Sequence, residues 1–252
     1  MRIAVCVKQV VTRETHVRVN ADGSWIRDEA VSWALNEPDA YALEEALQLK
    51  ERHGGEVIAV SAGPARVAQV LRESLARGAD RAIHVDGDHL AAADASVTAM
   101  ALASALESEA VDLVLTGLQS DDQGFGQVGV LLAECLSMSH STIIMNIEGG
   151  DGPLRVKREL EGGWFQWVTL PLPAVLTVQS GINHLRYATL KGIMAAKKKD
   201  LRVVPAPAPS PPTTRIVSVY VPDKTKKTRL ISGPPAEAAA ELVKALRDAG
   251  DL

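Results

Sequence analysis

Residues 117–129, GLQSDDQGFGQVG, combine the residue types and the spacing that most strongly suggest chemistry in this sequence. Gly124, Gly126 and Gly129 match the G-x-G-x-x-G pattern, in which glycines let the backbone approach a pyrophosphate closely. The pattern alone is weakly specific, because a glycine-rich surface turn can produce the same letters. It therefore identifies a candidate anion-binding loop and leaves the anion open.

The position of this loop in the chain argues against a dinucleotide such as NAD. In dinucleotide-binding folds the pattern lies in the first strand-to-helix turn, and an acidic residue about 20 positions later binds the ribose. Here the loop follows the fourth apolar strand, and the acid in that range, Glu148, falls in a turn. Free N–H groups and the helix dipole at a strand-to-helix junction still attract phosphate. The sequence thus favours a mononucleotide phosphate.

Apolar strands alternate with amphipathic helices through the first 140 residues. The predicted strands are 2–7, 56–64, 81–85 and 111–117, and the predicted helices are 39–54, 65–79, 89–108 and 128–136. Strands that are apolar on both faces, separated by helices, are typical of a parallel sheet covered on both sides. The fold class is therefore α/β, a doubly wound, mostly parallel sheet of the adenine-nucleotide-binding, HUP-like kind.

The second part of the chain has a different pattern. Strand-like segments with turn signals follow residue 140 and predict antiparallel additions to the sheet. The Pro-rich run 203–214 predicts an extended tether, 215–222 one more strand, and 235–250 an amphipathic helix. A helix beyond a tether has no core of its own. We therefore expect a nucleotide-binding domain over 1–185, and over 186–252 a region ending in an extended C-terminal arm that packs on a partner chain.

Composition excludes several classes of function. The net charge is −4 and hydrophobic residues make up 46% of the 252 residues, so we expect no nucleic-acid partner. No apolar run reaches the ~20 residues of a membrane span, so we expect no membrane insertion. Cys6 and Cys135 lie among apolar residues, which predicts buried free thiols and a cytoplasmic location. The six histidines lack metal-ligand spacing, so no metal is expected.

Ligands of doubly wound sheets bind outside the carboxyl ends of the strands, at the point where the strand order reverses. The strand ends available here are residues 6–8, residues 61–64 and the glycine loop. Residues 36–39 lead into the first helix and are expected beside them.

Stretches in order from residue 3 to 199 resemble the beta subunit of electron transfer flavoproteins. They include AVCVKQV, LNEPDAYALEEALQLKE, VDLVLTGLQSDDQ and, most specifically, NHLRYATLKGIMAAKKK. The resemblance implies a heterodimer with a larger alpha subunit that holds most of one FAD, and an AMP with a structural role in this chain. It further implies an electron carrier without catalytic residues of its own. Such a carrier serves acyl-CoA (fatty acid oxidation) or amine dehydrogenases and a quinone-linked acceptor oxidoreductase, in the mitochondrial matrix if eukaryotic.

Carried over position by position, the resemblance implies AMP contacts in the same pocket that topology selects. These residues are Cys6, Asn36, Glu37, Pro38, Asp39, Ala62, Asp122, Gln123, Gly124, Phe125, Gly126, Gln127 and Val128. The resemblance also implies a position near the flavin for Arg13, where the family often has an aromatic residue. RYATLKG resembles the loop that docks on dehydrogenases, with Leu190 as anchor and Tyr187 and Thr189 beside it. Without the resemblance, a Leu190 packed on its own domain is the ordinary interpretation. Lys197, Lys198 and Lys199 form either a solvated face or a charge that steers an acidic partner.

Two alternatives remain open. In a bifurcating flavoprotein a second FAD would replace AMP, but the bulk of Phe125 favours the type with one FAD. A stand-alone nucleotide-binding signalling domain would account for the first half of the chain, but not for the RYATLKG segment, the tether or the last helix.

Overall fold

The computed structural model describes residues 1–27, 31–150, 152–222 and 228–250. The strands are β1 (Arg2–Cys6), β2 (Gln9–Val11), β3 (Trp33–Leu35), β4 (Glu56–Gly63), β5 (Arg81–Asp86), β6 (Leu113–Gly117), β7 (Ser139–Glu148), β8 (Leu154–Glu159), β9 (Phe165–Leu170), β10 (Ala174–Val178) and β11 (Leu201–Pro205). The helices are α1 (Glu37–His53), α2 (Ala68–Arg77), α3 (Ala95–Leu106), α4 (Val128–Cys135), α5 (Leu190–Ala196) and α6 (Pro235–Ala249).

Nine strands form one sheet in the order β11-β5-β4-β1-β6-β10-β7-β8-β9. Every neighbouring pair from β11 to β7 is parallel, whereas β7–β8 and β8–β9 are antiparallel. After β1 the chain adds β4 and β5 on one side, and it then crosses back to place β6 on the other side. The strand order therefore reverses at β1, and the expected doubly wound α/β fold is confirmed.

The burial pattern explains why these residues form a covered sheet. In β1, Ile3 and Val5 enter the core beneath α1 and α2, whereas Ala4 and Cys6 enter the core beneath α3 and α4. Successive strand side chains point to opposite faces, so a strand between two helical layers must be apolar at every position. The apolar pattern seen in the sequence has this cause.

Two strands of the second part, β7 and β10, differ from the expectation of antiparallel additions, because they pair with each other in parallel. β10 lies parallel between β6 and β7, and only β8 and β9 are antiparallel additions. All five residues of β10, AVLTV, are buried. A strand without a polar face belongs in the covered interior of the sheet, where a parallel neighbour is already available.

The predicted helix over 89–108 divides into two parts. A short 3-10 turn occupies 88–92, and α3 begins at Ala95 with Asp94 as its N-cap. The Asp94 carboxylate accepts the Val97 N–H at 2.9 Å, which satisfies one of the free donors of the first turn. Helix α3 therefore begins directly after its capping residue, although the Ala-rich pattern in the sequence begins several residues earlier.

The region after residue 185 is only partly as expected. β11 adds to the sheet beside β5, although its last three residues belong to the Pro-rich run, and α5 packs on α2. The strand predicted over 215–222 is wrong: its described residues include no strand, and Val219 only donates its N–H to the Gly23 carbonyl at 2.8 Å. α6 buries none of its residues. The division of the chain at residue 185 stays a prediction.

The two cysteines differ in their surroundings. Cys6 is buried, as expected, but Cys135 is exposed at the end of α4, so the prediction of a second buried thiol is wrong. The apolar neighbours of Cys135 in sequence lie on the inner face of α4, and Cys135 lies on the outer face. No described helix is both long and apolar enough to cross a bilayer.

Candidate functional site

A cleft opens at the carboxyl ends of β1, β4 and β6, where the strand order reverses. Its walls are the end of β1, the start of α1, the glycine loop, the first turn of α4 and the segment that leads into α3. Lys8 is the one lysine or arginine among the described residues that line it. The cleft is therefore built from elements far apart in sequence, and it lies where doubly wound sheets bind ligands.

The three glycines of the loop have two different functions. Gly124 and Gly126 adopt φ angles of +62° and +63°, a left-handed conformation that side chains other than glycine rarely adopt. Gly129 lies in α4, where an added Cβ would come within 2.5 Å of Thr177 Cγ2 and 2.9 Å of Thr116 Oγ1. Two glycines therefore shape the loop, and the third lets the helix pack against the sheet.

Asn36 holds the loop to the start of α1. Its Oδ1 accepts the Asp121 N–H at 3.0 Å, and its Nδ2 donates to the Gln119 carbonyl at 3.1 Å. Asn36 is the N-cap residue of α1, yet its side chain makes no capping hydrogen bond. An asparagine at this position usually caps its own helix, so here the side chain is used for the loop instead.

Asp39 joins two strand ends beneath the cleft. Its carboxylate accepts the Lys8 N–H at 2.8 Å and the Gly117 N–H at 2.9 Å. Burial raises the pKa of Asp39 to about 7, although both hydrogen bonds and the Lys8 ammonium act in the opposite direction. The same burial, with the nearby Asp39 charge, raises the pKa of the Cys6 thiol. A thiol with a raised pKa stays protonated, so Cys6 forms an apolar part of the wall.

The Lys8 ammonium gathers the polar side chains of the loop. It donates to Ser120 Oγ at 3.2 Å, Asp122 Oδ1 at 2.6 Å and Gln123 Oε1 at 2.8 Å. Burial tends to raise the pKa of Asp122, but Lys8 and the hydrogen bonds outweigh it and lower that pKa. Lys8 thus neutralises an aspartate that would otherwise repel an anion entering the cleft.

Several donors at the mouth of the cleft have no acceptor among residues 1–27, 31–150, 152–222 and 228–250. Helix α4 begins at Val128 without a side-chain cap, so the N–H groups of its first turn are free for a ligand. The Nε2 of Gln123 is buried and makes no hydrogen bond within the described residues. A buried donor without a partner is costly. These groups fit a ligand that supplies oxygen acceptors.

The opposite wall of the cleft is apolar. It is formed by Leu90, Ala91 and Ala93 of the segment before α3, and by Leu102 of α3. Phe125 lies at the loop side of the same cleft. A flat aromatic base packs well on such a wall, so the cleft combines an apolar side with a donor-rich side.

The structure brings most of the predicted AMP residues together. Nine of them line the cleft: Cys6, Asn36, Asp39, Ala62, Gln123, Phe125, Gly126, Gln127 and Val128. The other four support its walls: Glu37 pairs with Arg13, Pro38 lies against Gly117, Asp122 pairs with Lys8, and Gly124 turns the loop. Their role in AMP binding stays a prediction.

Sequence reasoning missed several lining residues. They are Leu90, Ala91, Ala93, Thr98, Leu102, Thr116, Gly117, Leu118, Gln119 and Ser120, while Val7 and Lys8 were noted only as a strand end and Gly129 only as part of the glycine pattern. Ser120 and Gln119 lie inside the quoted loop and could have been included on that ground. The wall before α3 carries no sequence signal, because its alanines and leucines are typical of any helix.

Arg13 and the predicted docking residues lie on the surface. The Arg13 guanidinium pairs with Glu37 at 2.8 Å and Asp121 at 3.1 Å beside the loop. Tyr187 is 89% exposed and Leu190 78% exposed, so Leu190 does not pack on its own domain. Thr189 caps α5, since its Oγ1 accepts the Gly192 N–H at 3.0 Å. Lys199 donates to the carbonyls of Leu75 and Ala79, so it is not merely a solvated charge.

Comparisons with known proteins identify the family of the chain. A family model described as an electron transfer flavoprotein domain matches residues 24–209. The chain is 36% identical over 261 residues to the electron transfer flavoprotein subunit beta of Methylophilus methylotrophus, with 98% of each chain covered. It is 34% identical over 254 residues to the subunit beta of Bacillus subtilis, again with 98% of each covered. For the human subunit beta the identity is 36% over 256 residues, with 100% of this chain and 99% of the relative covered.

Proposed function

The chain belongs to the electron transfer flavoprotein family, and from that premise we propose that it is the beta subunit of a heterodimeric electron carrier. In this role it holds AMP in the cleft, helps to enclose an FAD bound mainly by an alpha subunit, and docks dehydrogenases. Its donors are acyl-CoA or amine dehydrogenases and its acceptor is a quinone-linked oxidoreductase, in the cytoplasm or the mitochondrial matrix. The similarity to beta subunits over nearly the whole chain supports the subunit assignment.

The AMP proposal rests on the Gln123 Nε2, which is buried and has no hydrogen-bond partner in the part of the chain that the structure describes. It lies in the same loop as the uncapped first turn of α4. Phosphate oxygens would accept from both and would benefit from the helix dipole. The apolar wall of Leu90 and Ala93 would receive the adenine, because that side of the cleft offers packing instead of charge.

The part of this chain in FAD binding is expected to be small. FAD, when bound, supplies the redox chemistry, and the protein supplies its position and its electrostatic surroundings. Arg13 is the candidate for this contact, because its guanidinium is exposed beside the loop and fixed by two carboxylates. The guanidinium N–H groups that do not engage Glu37 or Asp121 would donate to an oxygen acceptor on a neighbouring cofactor.

The first experiment is a ligand count in the intact complex. The chain is co-expressed with its alpha subunit, the complex is purified, and the ligands are released by denaturation and quantified. One FAD and one AMP per heterodimer support the proposal. Two FAD and no AMP would instead assign the cleft to a second flavin, as in a bifurcating flavoprotein.

A complex without flavin, or no complex at all, would overturn the electron-carrier role itself. It would leave a nucleotide-binding domain of the stand-alone signalling kind.

A further inference from the structure

The exposed segment that contains the predicted docking residues is fixed to the domain at both ends. Within residues 186–196, here called the docking segment, α5 has only seven residues. A helix of this length is not stable by itself in water, because nucleation is costly and few hydrogen bonds follow. Its order must therefore come from contacts with the rest of the domain.

At the first end, Arg186 binds helix α1. Its guanidinium donates to Glu44 Oε2 at 2.7 Å and Oε1 at 3.0 Å, and to Glu51 Oε1 at 2.6 Å. The Glu44 side chain is 5% exposed. The Arg186 N–H adds a weaker contact to Glu44 at 3.3 Å, and Asn183 Nδ2 donates to Glu45 Oε2 at 3.1 Å. A bidentate guanidinium–carboxylate pair fixes direction as well as distance.

At the second end, the segment is held by α2. Arg72 Nη1 donates to the carbonyls of Ala196 and Lys199 at 2.8 and 3.0 Å, and so satisfies acceptors at the end of α5. A Cβ on Gly192 would lie 2.3 Å from the Ala76 carbonyl oxygen, so the two backbones are in direct contact. These contacts would remain if the first end were released.

Between the two ends the segment presents apolar side chains to solvent. Tyr187 and Leu190 are 89% and 78% exposed, and Ile193 and Met194 are exposed beside them. An anchor of this kind binds more tightly when its backbone is already ordered, because less conformational entropy is lost on association.

We propose that Arg186 and Glu44 are a positioning pair that orders the docking segment before a partner arrives. The pair does not contact the partner, and it acts only through the direction in which Tyr187 and Leu190 are presented. This inference rests on the docking role proposed above. Beyond that role, it names the residues that order the docking surface in advance. It also explains why a charged pair is found at a nearly buried site.

The test uses the complete heterodimer and three variants of the pair: Arg186→Gln, Glu44→Gln and the double variant. Removal of one partner leaves the other charge nearly buried and unpaired, which can prevent assembly. The double variant removes both charges, so it can be tested if a single variant fails to assemble. Arg155→Gln is the matched control, because Arg155 makes an exposed ion pair with Glu148 at 3.1 Å, far along the chain from the segment. FAD content and the unfolding midpoint are recorded for every variant.

Two readouts decide the inference. Amide hydrogen exchange in 187–196 is expected to become about tenfold faster in the variants of the pair, because the segment opens locally. Affinity for an immobilised acyl-CoA dehydrogenase is expected to fall about tenfold, the equivalent of one lost contact. The control should change neither. Unchanged exchange, or faster exchange with full affinity, overturns the positioning role.

Leu190→Ala separates this inference from the proposed function. It should weaken affinity without changing hydrogen exchange, because it removes the anchor and leaves both ends of the segment in place. If Leu190→Ala binds as well as the wild type, the docking role itself is wrong. The exchange measurement still decides in that case whether the pair orders the segment.

Discussion

The carboxylate of Asp39 accepts a hydrogen bond of 2.9 Å from the backbone N–H of Gly117. The two residues belong to different units of the fold, the start of α1 and the end of β6. A Cβ on Gly117 would lie 2.5 Å from Asp39 Oδ1, so only glycine allows this approach. The contact joins the two sides of the point where the strand order reverses, and so it fixes the floor of the cleft.

Replacement of Asp39 by asparagine should change how stability depends on pH. Because the pKa of Asp39 is about 7 in the folded chain and about 3.9 in unfolded peptides, folding retains a proton between these values. This group's contribution to stability therefore falls as pH rises from 4 to 7, and it is constant above. The amide of the Asp39→Asn variant cannot titrate, so urea midpoints at pH 5 and pH 8 should differ less in the variant heterodimer than in the wild type.

The same substitution should also lower stability at every pH, because an amide has one acceptor oxygen for two N–H donors. Glu107→Gln, at an exposed position, is the control and should retain the wild-type pH dependence. Equal pH slopes for Asp39→Asn and wild type would contradict the raised pKa.

Gly129→Ala should displace the first turn of α4. The new methyl group would meet Thr177 Cγ2 at 2.5 Å, and packing of this kind costs ~1–3 kcal/mol. The matched control is Gly152→Ala, which has open space around it. Stability is measured by urea unfolding, and nucleotide binding by the AMP content of the purified complex. Only Gly129→Ala should be less stable and contain less AMP. Normal AMP content in a destabilised Gly129→Ala complex would place the nucleotide elsewhere.

Lys8→Met should weaken nucleotide binding more than folding. The substitution leaves Asp122 without its cation and frees the side chain of Gln123, so a negative charge faces an incoming phosphate. We expect AMP affinity to fall about tenfold, the scale of one charge-assisted hydrogen bond, in titration calorimetry of the AMP-depleted complex. Lys198→Met, on the exposed surface, should bind AMP normally. Equal affinities would exclude Lys8 from the site.

Asp94→Asn should release the tether from the start of α3. The Oδ2 of Asp94 accepts the N–H groups of Thr213 at 2.6 Å and Thr214 at 2.9 Å, in addition to the capping bond to Val97. Burial acts to raise the pKa of Asp94, but these hydrogen bonds outweigh it and lower the pKa to about 2. The stabilisation is therefore present above about pH 4 and is lost as pH falls towards 2.

Trypsin cleavage after Arg215 provides the measurement for this variant at neutral pH. Cleavage should be faster in Asp94→Asn than in wild type, because residues 213–214 lose acceptors that a neutral amide supplies only in part. Asp88→Asn, at an exposed position, should be cleaved at the wild-type rate. Unchanged cleavage in Asp94→Asn would show that other contacts hold the tether.

The sequence was sufficient for the fold class, because the strands of the parallel sheet are apolar on both faces. Such strands are visible as short continuous apolar runs in the sequence. It also located the loop, since Gly124 and Gly126 are required by local backbone conformation. The place of β10 inside the parallel sheet was not predicted. Only the neighbours available in space decide which strands β10 joins.

Long-range contacts were decided by the tertiary structure alone. Lys8 and Asp122 meet across 114 positions, and Arg186 and Glu44 across 142. Pairs of this kind produce no periodic pattern in the sequence, because each partner looks like an ordinary surface charge among its sequence neighbours. For the third glycine of the loop, Gly129, the sequence and the tertiary structure each supply one part of the explanation. Its spacing was visible in the sequence, but its reason, close packing of α4 on Thr116 and Thr177, depends on strands that come together only in the folded chain.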